Sequence, residues 1–92
     1  MAELEHTKVI ILTTPLEDTA QKTRYEQLDL KAPTLAQVEQ FYEKQEASTA
    51  IAAMRLLIAL VTDTRESVLA PMDYVDFCKC KEYLLGFLNW KP

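Results

Sequence analysis

The chain has 92 residues, 49% hydrophobic, with 14 acids against 10 bases and a single glycine. That composition excludes disordered, fibrous and loop-rich classes and describes one small, regular domain. The formal charge of −4 lies wholly in residues 1–46, and the scattered bases form no stripe, which argues against nucleic acid and against a membrane surface as partners.

Val9-Ile10-Ile11-Leu12 is a short, mostly β-branched run closed by Thr13-Thr14-Pro15, and it reads as a strand. Residues 16–23 show no hydrophobic period and read as the mobile loop of a hairpin. Residues 24–30 form the second strand, with Glu26, Leu28 and Leu30 on one face and Tyr25, Gln27 and Asp29 on the other. A lone two-stranded hairpin is marginal in water, so it must pack on the helices or pair with another chain.

Pro33 keeps Ala32 extended, and Thr34 with Gln37 has capping-box spacing for a helix over residues 35–45. Leu35, Val38 and Tyr42 form its apolar stripe with Phe41 beside them, and the polar residues 43–46 read as a junction. The next helix, residues 47–62, is apolar nearly all round. Ile51, Met54, Ile58 and Val61 form one ridge, and Ala53, Leu57 and Leu60 the next. A helix without a polar face is surrounded by protein, either at the centre of the core or in a core shared between subunits.

Residues 64–69 allow a short helical turn stopped by Pro71. Asp73 is placed to cap a last helix over residues 74–88, with Asp76 adding negative charge to its first turn. Phe77, Cys80, Leu84, Phe87 and Leu88 follow helical spacing, while Lys79, Glu82 and Asn89 lie opposite. Gly86 within this pattern costs about 1 kcal/mol relative to alanine, so it permits a close approach or marks fraying. The fold class is therefore α+β, mostly α-helical. An N-terminal β-hairpin (region 1–34) packs on a small bundle of three main helices (region 35–92).

No residue pattern supports catalysis, and the chain reads as no enzyme. His6 stands alone in a polar arm without an orienting partner. Cys78 and Cys80 lack the second pair that zinc requires, are too close for an unstrained bridge, and read as reduced thiols. Asp73 and Asp76 are explained by capping, Ser48 and Ser67 have no base at a recognisable spacing, and no glycine loop exists to cradle phosphate. No cofactor or metal is implied. The N-terminus has no apolar signal core, and the longest apolar run, residues 50–61, is shorter than the ~20 residues of a membrane span. These features place the chain in the cytoplasm.

The positive signal is hydrophobic. Residues 47–62 and the stripe from Phe77 to Leu88, with Trp90 beyond, offer more apolar surface than two short strands and one weak helix can cover. One reading is an ordinary helical core. The other is a groove between helices that accepts an apolar helix from a partner, with Met54, Leu57, Phe77, Leu84, Phe87 and Trp90 as the candidate contacts and Met72 as a second adaptable thioether.

The order of short motifs then carries a resemblance. After the strand ending Leu12-Thr13-Thr14-Pro15 come Tyr25, Leu28-Asp29-Leu30-Lys31-Ala32-Pro33-Thr34 and the apolar helix from Ala53 to Thr62. Val68-Leu69, Met72-Asp73-Tyr74-Val75-Asp76-Phe77 and Tyr83-Leu84-Leu85-Gly86-Phe87-Leu88 complete the series. This succession resembles the phage tail assembly chaperones of temperate contractile-tailed bacteriophages, from about Val9 to Leu88. The resemblance implies an interaction protein that binds the apolar helical tape measure protein, keeps it soluble until the tail tube polymerises, and is absent from the mature virion. It further implies a frameshifted longer product and tail-tube subunits as associates, and it is compatible with a homo-oligomer. A length of 92 residues fits the short form, and Gly86-Phe87-Leu88 can be encoded as a slippery heptamer. A small antitoxin-like regulatory or adaptor module, and a structural tail component retained in the virion, are the competing readings.

Overall fold

The computed structural model describes residues 6–89; Trp90 lies outside the described residues. The element order is β1 (Thr7–Asp18), β2 (Thr23–Lys31), α1 (Leu35–Ala47), α2 (Ala50–Thr62), α3 (Glu66–Leu69) and α4 (Tyr74–Leu88). This is the α+β arrangement expected from sequence, an antiparallel hairpin followed by three main helices and one short turn.

The hairpin is longer than its hydrophobic runs suggest. Ile10 pairs with Leu28 and Ile11 with Gln27, but the next pair is Leu16 with Tyr25. Residues 12–15 of β1 thus stand opposite Glu26 alone, an irregularity that accommodates Pro15, which has no N–H to donate. Beyond it the alternation resumes, with Leu16 and Asp18 pointing inward as Ile10 and Leu12 do. The expected loop over residues 16–23 is therefore corrected: residues 16–18 continue β1, and the turn is residues 19–22. Asp18 shapes that turn by accepting the Gln21 N–H at 3.2 Å and by pairing with the Arg65 guanidinium. On β2 the inward face is Leu28 and Leu30, whereas Glu26 opposite the bulge is exposed and lies 3.8 Å from Arg24.

Thr34 and Gln37 cap α1 reciprocally, Gln37 N donating to Thr34 Oγ1 at 3.2 Å and Thr34 N to Gln37 Oε1 at 3.0 Å. The junction expected at residues 43–46 is instead the end of α1. The break falls at Ser48-Thr49, where the Thr49 hydroxyl accepts the Ala52 N–H at 3.0 Å and starts α2. Nor is the stripe Leu35, Val38 and Tyr42 the buried face. Phe41 is buried and Leu35 and Tyr42 are exposed, because α1 flanks α2 at the periphery.

α2 is the central element, packed on α1, α3, α4 and β2. It buries Ala53, Met54, Leu57, Ile58, Ala59 and Val61, and each of the four larger side chains contributes about 2 kcal/mol. The expectation that this helix is enclosed all round fails at its first turn, where Ile51 is exposed. α2 ends at Asp63, whose φ of 53° is the left-handed conformation that stops a helix.

α4 starts at Asp73, which accepts the Val75 N–H at 2.9 Å, and its buried line is Asp76, Cys80 and Leu84. Asp76 does more than charge a helix terminus. It accepts the Thr13 N–H at 3.0 and 2.9 Å, the Thr13 hydroxyl at 2.9 Å and the Thr14 N–H at 3.4 Å. The carboxylate thus supplies the acceptors for two backbone donors of the β1 irregularity and fastens the hairpin to α4. Burial alone would raise its pKa, but these hydrogen bonds, with Lys79 at 3.8 Å, outweigh it and hold the carboxyl below its usual 3.8. For Asp18, burial likewise pushes upward and is overcome by Arg65 and the backbone amides of Gln21 and Ala20. One turn along α4, burial and the nearby Asp76 charge push the Cys80 thiol up to about 12.

Three outcomes follow from these placements. Asp76→Ala removes the acceptor of the Thr13 and Thr14 N–H groups and leaves a hole in the core, and should cost about 2–4 kcal/mol in denaturant unfolding, more than Thr13→Val, which removes only the hydroxyl bond. Because both acids have lowered pKa values, their stabilisation is complete above their usual value and is lost as pH falls below about 4. The wild-type melting temperature should therefore drop steeply in that range, and that of Asp76→Asn less steeply. In thiol labelling of the folded chain, half-exposed Cys78 should react and buried Cys80 only after unfolding.

Candidate interaction surface

α4 leans mainly on β1 and meets α2 only sparingly, and a groove lies between the two helices. The groove consists of two adjoining depressions that share Ile51, Tyr74 and Phe77. One, about 180 Å³, reaches the end of α3 and is lined also by Arg55, Ile58, Leu69 and Met72, with Arg55 Nε 3.6 Å from Glu66 Oε1. The other, about 210 Å³, opens toward α1 and adds Phe41, Ala50, Met54 and Leu85, with Gln45 and Lys81 at its edge.

The local sequence explains why this region stays open. The Asp73 cap fixes where α4 begins, and the Asp76 tether turns the Asp76–Cys80–Leu84 line toward the hairpin. Tyr74 and Val75, in the first turn, consequently face away from the core and are 63% and 58% exposed. Phe77 is half-buried, its ring stacked on Tyr74 with centroids 5.8 Å apart. Across from them Ile51 is 60% exposed at the start of α2. Clustered exposed apolar groups beside a concavity are the usual mark of a contact surface.

The candidate contacts read from sequence divide into four sets. Met54 and Phe77 line the groove. Leu57 and Leu84 are inside the core with no exposed surface, so a partner reaches them only through the side chains that cover them. Phe87 is half-buried further along α4, its ring edge-on to Tyr83 at 5.2 Å. Trp90 lies outside the described residues. Ile51 and Tyr74, which line both depressions, and exposed Val75 beside Tyr74 are not among the candidate contacts picked out from sequence. Their signal was position: each falls in the first turn of an apolar helix, where neighbouring elements have yet to close over it.

A larger depression of about 490 Å³ lies between β1 and α4, with Val9 and Ile11 exposed along it. Lys8, Lys79 and Glu82 line it as well, which suits it less well to an apolar segment. Among the described residues no group of three His, Cys, Asp or Glu side chains could hold a metal ion, and no helix is long and apolar enough to cross a membrane.

No curated protein and no solved structure matches this chain. A family model described as "Phage tail assembly chaperone proteins, E, or 41 or 14" matches residues 9–89, a span that runs from β1 through the end of α4 and takes in the hairpin, the tether and the groove. The chain belongs to the phage tail assembly chaperone family.

Proposed function

We propose that this chain keeps a phage tape measure protein soluble by holding its apolar helical segments in the groove between α2 and α4 until the tail tube forms around it. Membership of a chaperone family points to a non-enzymatic role and to interaction with phage tail proteins. The single observation that carries the reading further is the apolar groove, with exposed Ile51 and Tyr74 on its two walls. Its mostly apolar lining suits a helix-in-groove contact, and Met54 and Met72 can repack against varied apolar side chains. Met54 and Phe77 are retained as contacts, Ile51 and Tyr74 join them, and Leu57 and Leu84 support the groove from within. The frameshifted product, tail-tube subunits and a second copy of the chain belong to the same proposal as further associates. So do action in the bacterial cytoplasm and absence from the finished particle.

Co-expression tests the binding step. The wild-type chain should raise the soluble fraction of the tape measure protein severalfold. Ile51→Glu and Tyr74→Glu, at exposed positions, should lose that effect while keeping wild-type circular dichroism. Leu84→Glu should lose it by unfolding the core and serves as the contrast. Folded Ile51→Glu and Tyr74→Glu chains that still solubilise the partner would refute the groove. Mass spectrometry of purified particles should lack this chain.

A further inference from the structure

The groove's walls are apolar, but its edges are not neutral. Arg55 borders the depression toward α3 and Lys81 the depression toward α1, and neither lining contains an acid. That is a local reversal in a chain with 14 acids and 10 bases. The two cations border different depressions, with Ile51, Tyr74 and Phe77 common to both. Arg55 follows Ile51 by one turn of α2, and Lys81 follows Phe77 by one turn of α4. Arg55 Nε is buried without a hydrogen-bond partner among the described residues, with Glu66 Oε1 at 3.6 Å. Lys81 has no ion pair among the described residues.

We propose that the groove selects helices whose apolar face is bounded at each end by a carboxylate, one meeting Arg55 and the other Lys81. This rests on the groove reading above and specifies the chemistry of its occupant. The apolar centre supplies contact, while the terminal charges set position and reject the wrong partners. A helix flanked by lysines would place like charges together at both ends, where the neighbouring apolar wall limits screening by water. The same arrangement gives a sliding apolar helix a preferred register.

The test uses three synthetic amphipathic peptides of about 18 residues with one shared apolar face. Glu, Gln or Lys occupies both ends of that face, and fluorescence anisotropy reports binding to the full chain. Wild-type affinity should follow the order Glu, Gln, Lys, with about tenfold between the extremes at low salt. The gap should shrink at about 0.5 M salt. In the Arg55→Gln/Lys81→Glu chain the Glu peptide should lose its advantage, with folding checked by thermal unfolding. Equal wild-type affinity for all three peptides overturns the charge selection and leaves the groove reading intact. No binding by any peptide, or binding undiminished in Ile51→Glu, overturns both. A wild-type dimer that Ile51→Glu dissolves and the peptides cannot displace assigns the groove to a second copy and also overturns the proposal.

Discussion

A carboxylate inside an apolar domain organises this fold. The Asp76 side chain is buried, and it stays ionised because two residues of β1 turn three donors toward it. The dependence runs both ways. Without the acid, the N–H groups of Thr13 and Thr14 in the β1 irregularity would lose their acceptor; without those donors, a buried negative charge would be untenable. The bulge, the Pro15 that sits in it and the rotation of α4 about its own axis are therefore one solution, not three. The Asp18–Arg65 pair repeats the device at the far end of the hairpin, joining the turn to the start of α3.

Rotation of α4 decides what the molecule presents. With Asp76, Cys80 and Leu84 directed inward, the first-turn residues Tyr74 and Val75 must point out. Because α4 commits its apolar line to β1, it does not close over the start of α2, and Ile51 stays uncovered. The groove is thus a consequence of how the hairpin is anchored. Fully apolar packing between α2 and α4 would gain burial, at about 25 cal/mol per Å² of surface removed from water, and would abolish the concavity.

Much of this was legible in the residues, and the failures share a cause. The capping box at Thr34 and Gln37, the Asp73 cap and the hairpin-then-helices order all rest on local chemistry that short windows carry. Residues 16–18 were misread because the inward alternation of β1 is interrupted by a four-residue irregularity, and no local rule counts across it. α1 was ended early because residues 43–46 are polar, although an exposed peripheral helix needs no apolar residue there. Asp76 looked like a terminal charge because its partners lie 63 and 62 positions away. Long-range polar pairing leaves no periodic trace, and the candidate site inherits that blindness. The apolar stripe of α4 is legible, but which of its members stay exposed depends on a rotation set by Thr13 and Thr14.

The groove's modest size fits the task proposed for it. Against the proposed helix, a few half-exposed side chains would bury several hundred Å², roughly 5–10 kcal/mol of apolar burial before the costs of association are subtracted. What would remain under the proposed reading is a weak contact. For a chaperone that is an advantage, because a client held too firmly could not be surrendered to tube subunits. Under the same proposal, protection of a long apolar partner would come from many chains occupying many segments. Cations at the groove edges suit such a regime, since they sharpen choice and register while adding little to the lifetime of each contact. On that reading release would need no dedicated switch, since mass action would empty the groove once tube subunits covered a segment.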